Sequence, residues 1–180
     1  MNIKRKLLEN NNPEGFHGNR GAGILFLTKN TNRFLVLKRS HKIHEPGTWS
    51  IPGGAFNPEK ESPKQCAKRE CFEETGYDCK DVSDFIPAYV YVSPENTFRY
   101  YNFICLIPEE FEPQLNEESK SYRWLDLEEL QELDNKHFGF EEFLNNESEQ
   151  LKNLLDNNSS QIFESIIRKI IKKKIKEVIY

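Results

Sequence analysis

Sulfur is scarce in this chain of 180 residues: there are four cysteines and one methionine. Cys66, Cys71, Cys79 and Cys105 form no Cys-x-x-Cys pair. His17, His41, His44 and His137 do not fall at zinc-ligand spacing. Zinc-ligand spacing is therefore not supplied, and a reducing compartment is the default expectation. Long apolar runs are missing too. No stretch approaches the ~18 apolar residues of a membrane span. The basic start at residues 1–8 leads into Asn-Asn-Asn-Pro instead of an apolar signal segment. A cytoplasmic protein with no membrane partner is the expectation. Strong net charge is lacking as well, at −4 overall, so a general nucleic-acid binder is not favoured. That average conceals an asymmetry. Residues 168–180 hold six bases and one acid, a net +5, which leaves −9 on the rest.

What the chain does have is enough apolar and aromatic side chain, 37% and 12%, for one domain with a core. Residues 1–18 are polar, with Pro13, Gly15 and Gly18, and read as a flexible arm. The runs 21–28 and 33–39 are β-branched and apolar, and the Lys-Asn-Thr-Asn between them predicts a hairpin. Residues 41–54 form a Pro- and Gly-rich loop around Trp49-Ser50-Ile51. Strands are predicted over 85–92, 97–107 and 121–125. The second of these is apolar on both faces and so central. Asp126 should cap a short helix ending at Glu132, and 138–144 suits another. Residues 147–160 are Asn-rich and have linker composition. Residues 162–179 carry Ile and Phe at helical spacing. This amphipathic C-terminal helix is expected to pack on the domain or on a partner subunit in a homodimer, with its lysines solvated. A basic helix of this kind also suits an anionic surface, RNA included, but nine large apolar side chains need burial more than six charges need a ligand.

The sharpest local signal lies between residues 62 and 76. Ser62 is an N-cap, Pro63 sits at N1, and Gln65 at N3 completes a capping box; Gly76 is placed for a left-handed stop. The helix so defined carries Glu70, Glu73 and Glu74 within about a 100° arc. The one nearby cation is Arg69, four residues before Glu73. Three carboxylates on one face repel one another, and a hard divalent cation relieves that repulsion. On spacing alone, a solvated acidic face explains them equally well.

The surrounding pattern separates the two. The stretch GGAFNPEKESPKQCAKRECFEETGY, residues 53–77, closely resembles the Nudix box, G-x5-E-x7-R-E-U-x-E-E-x-G-U, where U is bulky and apolar. From Glu61 to Tyr77 the match is complete, with Cys71 and Tyr77 at U positions. Between Gly54 and Glu61 there are six residues instead of five, a one-residue insertion before the helix cap. The lead-in PGTWSIPGGAF and the later Leu115–Glu118 and Tyr122-Arg123-Trp124 segments also resemble the family, so that the resemblance covers roughly residues 20–130, within a Nudix hydrolase domain expected at 19–146.

The resemblance implies an α/β fold, an α/β/α sandwich around a mixed sheet. It implies metal-dependent hydrolysis of the diphosphate linkage in a nucleoside di- or triphosphate or a nucleoside-diphosphate derivative. An mRNA-decapping enzyme and a non-catalytic nucleotide-binding module are the alternatives. Glu70, Glu73, Glu74 and the backbone at Gly54 would hold Mg²⁺ or Mn²⁺. Glu73, Glu61 and Glu118 would be catalytic, with Glu118 the candidate general base and Glu117 its rival. Arg39, Gly53, Trp49 and Phe56 would meet the substrate, although buried packing suits both aromatic residues better. Arg69 and Gly76 would be structural. Markers of coenzyme A and NADH hydrolysis are absent, and Pro94 lies 17 residues after Tyr77, one or two beyond the usual ADP-ribose marker.

Overall fold

The computed structural model describes residues 19–80, 82 and 84–179. The expected arm, residues 1–18, lies outside them. The predicted hairpin forms from β1 (Arg20–Thr28) and β2 (Phe34–Arg39), antiparallel with Leu27 opposite Phe34. Its turn uses Asn32 at φ 57°, a left-handed position that asparagine tolerates better than most residues. Two short strands then arise where the sequence suggested only loop. They are β3 (Trp49–Ser50) on β2 and β4 (Gly53–Ala55) on β1. Strands of two and three residues are too short to show an alternation in sequence.

Next come α1 (Pro63–Thr75), β5 (Phe85–Val92), β6 (Arg99–Ile107), β7 (Ser119–Leu125), α2 (Leu127–Glu132) and α3 (Phe138–Ile179). The strands make one seven-stranded sheet in the order β3-β2-β1-β6-β5, with β4 also on β1 and β7 on β2. β1 and β6 run parallel, and the other pairs are antiparallel. The sheet is therefore mixed. Alternate residues of its strands feed two cores. Ile24, Phe26, Leu35, Phe103 and Cys105 pack with Cys66, Ala67 and Cys71 of α1. Leu25, Leu27, Phe34, Val36 and Ile104 pack with Leu130 of α2 and with Phe140, Phe143, Leu144 and Leu151 of α3. β6 is covered on both faces, as its double apolar pattern required. The result is an α/β/α sandwich.

The C-terminal region needs a correction. Residues 147–160, expected to be a linker, are helix, and α3 runs unbroken for 42 residues. Leu151 is buried there, and the buried Asn158 donates through Nδ2 to the carbonyls of Lys29, at 2.9 Å, and Thr28. The hydrogen-bonding groups of the β1–β2 hairpin thus hold an Asn-rich stretch in a conformation its composition does not favour. Gln161, Glu164, Ile167 and Arg168 are exposed. The other side chains of the apolar stripe at 162–179 lie outside the described residues.

Candidate active site

α1 is positioned by its ends. Ser62 accepts from the Gln65 amide, and the Gln65 side chain accepts from the Ser62 amide at 2.9 Å. Gly76, at φ 72°, closes the helix by donating to the Phe72 carbonyl at 2.9 Å. The inserted residue of the preceding loop is absorbed in a turn. The Asn57 carbonyl accepts from both Lys60 and Glu61, while its side chain accepts from the Glu59 amide. The capping box is undisturbed.

Held in this way, α1 turns its carboxylates toward the two glycines of β4. A Cβ at Gly54 would collide with the Glu70 carboxyl group. Glycine at 54 is what lets that carboxyl lie against the backbone. The Gly53 amide donates to Glu74 Oε1 at 3.0 Å. Glu74 is only 7% exposed, and burial pushes its carboxyl up to about 8 in the ion-free protein. Burial raises Glu70 as well, against the pull of Arg69.

Arg69 is the hub of the acidic cluster. Its guanidinium donates to Glu61 at 2.8 Å, Glu70 at 2.7 Å and Glu73 at 3.1 Å, and also to the Ala55 carbonyl. Those pairings, that with Glu61 foremost, raise its pKa far above the ordinary arginine value. The geometry suits the structural role foreseen for Arg69. It also ties Glu61 to the guanidinium rather than to the open site. Glu73 is 51% exposed beyond that contact.

Arg39 closes the opposite side. Its Nε donates to the His44 carbonyl at 2.8 Å, and burial lowers its pKa against the opposing charges of Glu74, Glu45 and Glu118. Glu118, exposed in the turn just before β7, acts electrostatically on Glu70, Glu74 and Arg39 together. Its backbone is fixed by Ser40, which donates to the Glu118 carbonyl at 2.7 Å, and by the Asn116 side chain, which accepts from its amide. Glu117 instead pairs with Lys42 at 2.6 Å.

Two expected substrate contacts are placed elsewhere. Trp49 is 9% exposed in the core on the α3 face, with Lys38 and Arg123 over its ring at 5.3 and 5.8 Å. Phe56 is buried beneath α1, its ring 6.2 Å from that of Tyr101. Both are packing residues, because the strand alternation beside them turns their side chains inward. The sequence reading missed Tyr100. Its ring lies over Gly21 and its hydroxyl abuts Gly23 and Gly53, where any Cβ would clash with it. Two glycines spaced i, i+2 in a strand, with a third across the ladder, are the signal that marks such a close approach.

The donors that converge here are hard carboxylate oxygens and a glycine backbone, which fits a divalent cation better than a soft metal. Among the described residues no three His, Cys, Asp or Glu side chains already form a cage. Glu61, Glu70 and Glu73 are engaged with Arg69 instead, and Glu74 with the Gly53 amide.

Fold and site together define a domain built around a capped, acidic helix facing a glycine pair. A match to the NUDIX domain family covers residues 18–146, and the chain belongs to that family. It is 30% identical over 125 residues to a Mycobacterium tuberculosis protein provisionally named 8-oxo-dGTP diphosphatase 3. That stretch is 66% of this chain and 57% of the relative, so the chain spans less than two thirds of the relative's length. An Ap4A hydrolase of C. elegans superposes with a TM-score of 0.58 at 21% identity, over 74% of this chain and 98% of that one. The NUDIX domain of Shewanella oneidensis NrtR, solved with ADP ribose, gives 0.59 at 16% identity, over 84% and 99%. These similarities establish the sandwich fold.

Proposed function

We propose that this chain hydrolyses a diphosphate linkage in a nucleoside di- or triphosphate, or in a nucleoside-diphosphate derivative, with Mg²⁺ or Mn²⁺ as cofactor. The observation that carries this reading is the burial of Glu70 and Glu74 against Gly54 and Gly53. Buried carboxylates that repel one another are costly unless a cation or a proton neutralises them. Glu70, Glu73 and Glu74, with the Gly54 backbone, are the residues to hold the ion. A divalent ion there neutralises diphosphate charge and increases the acidity of water.

The remaining roles fall to this chain's own groups. Arg39 supplies a fixed positive charge for a phosphate oxygen. Glu118 takes the proton from the attacking water as the new O–P bond forms. The anhydride P–O bond then breaks, and the departing phosphate or nucleotide carries away the electron pair. Arg69 holds Glu61, Glu70 and Glu73 in register.

The test is a hydrolysis screen with Mg²⁺ or Mn²⁺ over (d)NTPs including 8-oxo-dGTP, dinucleoside tetraphosphates, ADP-ribose, nucleotide sugars and capped RNA, with products separated by chromatography. Ion-dependent cleavage of a diphosphate bond is the expected result. Folded protein that binds nucleotide and cleaves none of these substrates overturns the reading in favour of a binding module.

A further inference from the structure

Three of the chain's four cysteines converge in the core between α1 and the sheet. Cys71 lies on α1, Cys79 in the segment that follows it and Cys105 on β6, and all three belong to one apolar cluster. The Cys71 and Cys79 sulfurs are 3.3 Å apart, and Cys105 is hydrogen-bonded to Cys79. All three are free thiols. A buried cysteine usually serves as a small apolar residue, and Cys66 shows what that role looks like. It is equally buried on the same helix, but among the described residues its sulfur meets the Gly54 and Ala55 carbonyls and Arg69, not another thiol.

Cys79 differs from the other two in its cover and in the charges around it. Its chain neighbours Asp78 and Lys80 are both exposed, so its side chain is buried only one residue in from solvent. Lys68 of α1 reaches over the same segment, donating to the Cys79 carbonyl at 2.5 Å and to the Lys80 carbonyl at 3.3 Å. With the Cys105 and Cys71 thiols donating to its sulfur and the Lys68 ammonium beside it, the Cys79 thiol is held below the usual cysteine range. The thiolate is the reactive form of cysteine, which makes Cys79 the nucleophile of the group. Cys71 stands at the distance of a second, resolving thiol. Cys105 is fixed in β6 by ladders to β1 and β5, whereas Cys79 follows the Gly76 helix stop and lies outside any strand. Approach of Cys79 to Cys71 is therefore the smaller adjustment.

We infer that Cys79 and Cys71 form an oxidation site for small hydroperoxides, at which the pair closes into a disulfide. Cys79 Sγ attacks one peroxide oxygen. The S–O bond forms as the O–O bond breaks, and the departing oxygen takes up a proton and leaves as water or an alcohol. Cys71 Sγ then attacks Cys79 Sγ. The S–S bond forms, the S–O bond breaks, and the hydroxyl leaves as water with the Cys71 proton. Two thiols are oxidised and one hydroperoxide is reduced. The sulfurs close from 3.3 Å to a bond of about 2 Å. With Cys71 0% and Cys79 1% exposed, the site admits a small oxidant in preference to a bulky disulfide. Nothing in this chemistry draws on the hydrolase reading.

The experiment reads the sulfurs directly. Trypsin cuts after Arg69 and Lys80, so both thiols fall on one peptide, residues 70–80, apart from Cys66 and Cys105. The folded full chain is exposed to hydrogen peroxide at neutral pH, then unfolded, alkylated, digested and weighed by mass spectrometry. The expected result is a peptide 70–80 that is unalkylated and lighter by two hydrogens, and that dithiothreitol restores, while Cys66 and Cys105 are alkylated. Cys79→Ala should leave Cys71 alkylated, and Cys105→Ala should still close the bond. A peptide 70–80 that carries two alkyl groups after peroxide overturns the proposal. So does a bond from Cys79 to Cys105, and so does oxidation of Cys66 or Cys105 as fast as that of the pair. The wild-type peptide map decides the matter by itself if either variant fails to fold.

Discussion

The helices α1 and α3 cover opposite faces of one sheet, and they are held in opposite ways. α1 is short and fixed at its two ends, by the Ser62–Gln65 box and by Gly76. Its middle is thereby free to carry charges that destabilise a helix left to itself. α3 is three times longer and is fixed along its first half, by Phe140, Phe143, Leu144, Leu151 and finally Asn158. The difference shows where each face spends its binding energy. The α1 face puts it into presenting carboxylates, and the α3 face into closing the core.

Substitutions can break this comparison at either helix. The largest effect is expected from Glu74→Gln, which keeps the shape and the Gly53 hydrogen bond but removes the charge. Turnover should fall by about two to three orders of magnitude. The melting temperature should hold, and any rise in it on adding Mg²⁺ or Mn²⁺ should vanish. Wild-type rates would remove Glu74 from the site.

Glu118→Gln comes next, with kcat expected to drop by roughly 100-fold at fixed Mg²⁺. Glu117→Gln should leave kcat unchanged, since that side chain is committed to Lys42. The reverse outcome would exchange their roles.

A pH effect sharpens the same face. Glu74 is raised from 4.5 to about 8 in the folded ion-free chain. The folded state therefore binds the extra proton. Its stability should decline as pH rises through that window, where the unfolded chain has already ionised. A divalent ion binds the carboxylate form, so the ion-induced shift in melting temperature should grow from pH 6 to pH 8. Thermal melts with and without Mg²⁺ across that range measure it, and a flat response would detach the ion from Glu74.

The smaller effects compare the two modes of attachment. Asn158→Ala removes a buried donor to Thr28 and Lys29. It should cost about 1–3 kcal/mol, read by denaturant unfolding, with kcat unaffected. Ser62→Ala should cost about 1 kcal/mol through loss of the cap. If Ser62→Ala proved the more damaging of the two, α3 would be held by its apolar residues alone.

The contrast also explains which parts of the molecule were legible in the sequence. α1 is specified by residues adjacent to it, so its limits, the clustering of Glu70, Glu73 and Glu74, and the pairing of Arg69 with a neighbouring glutamate could all be read before any fold was known. So could the β1–β2 hairpin and the central position of β6. Residues 147–160 could not, because their helix is imposed by a hairpin more than a hundred residues away. Trp49 and Phe56 stood open between a ligand contact and buried packing for a related reason, and the structure gives the packing that suited them better. An aromatic residue in a Gly- and Pro-rich loop looks available to a ligand until β3 and β4 form and turn it inward. Tyr100 was read only as a strand residue, since its meaning depends on Gly21, Gly23 and Gly53 lying around it.

The Asn158 latch has a practical consequence for anyone preparing a shorter form of this protein. The stretch that matches the family stops at residue 146, within α3. A fragment trimmed there would keep the whole acidic helix yet discard Leu151 and Asn158. It would bare an apolar strip on the sheet and leave two hairpin carbonyls without their donor. The boundary that similarity draws around the acidic helix is thus not a boundary of cooperative folding, and the smallest sound fragment should run past residue 160.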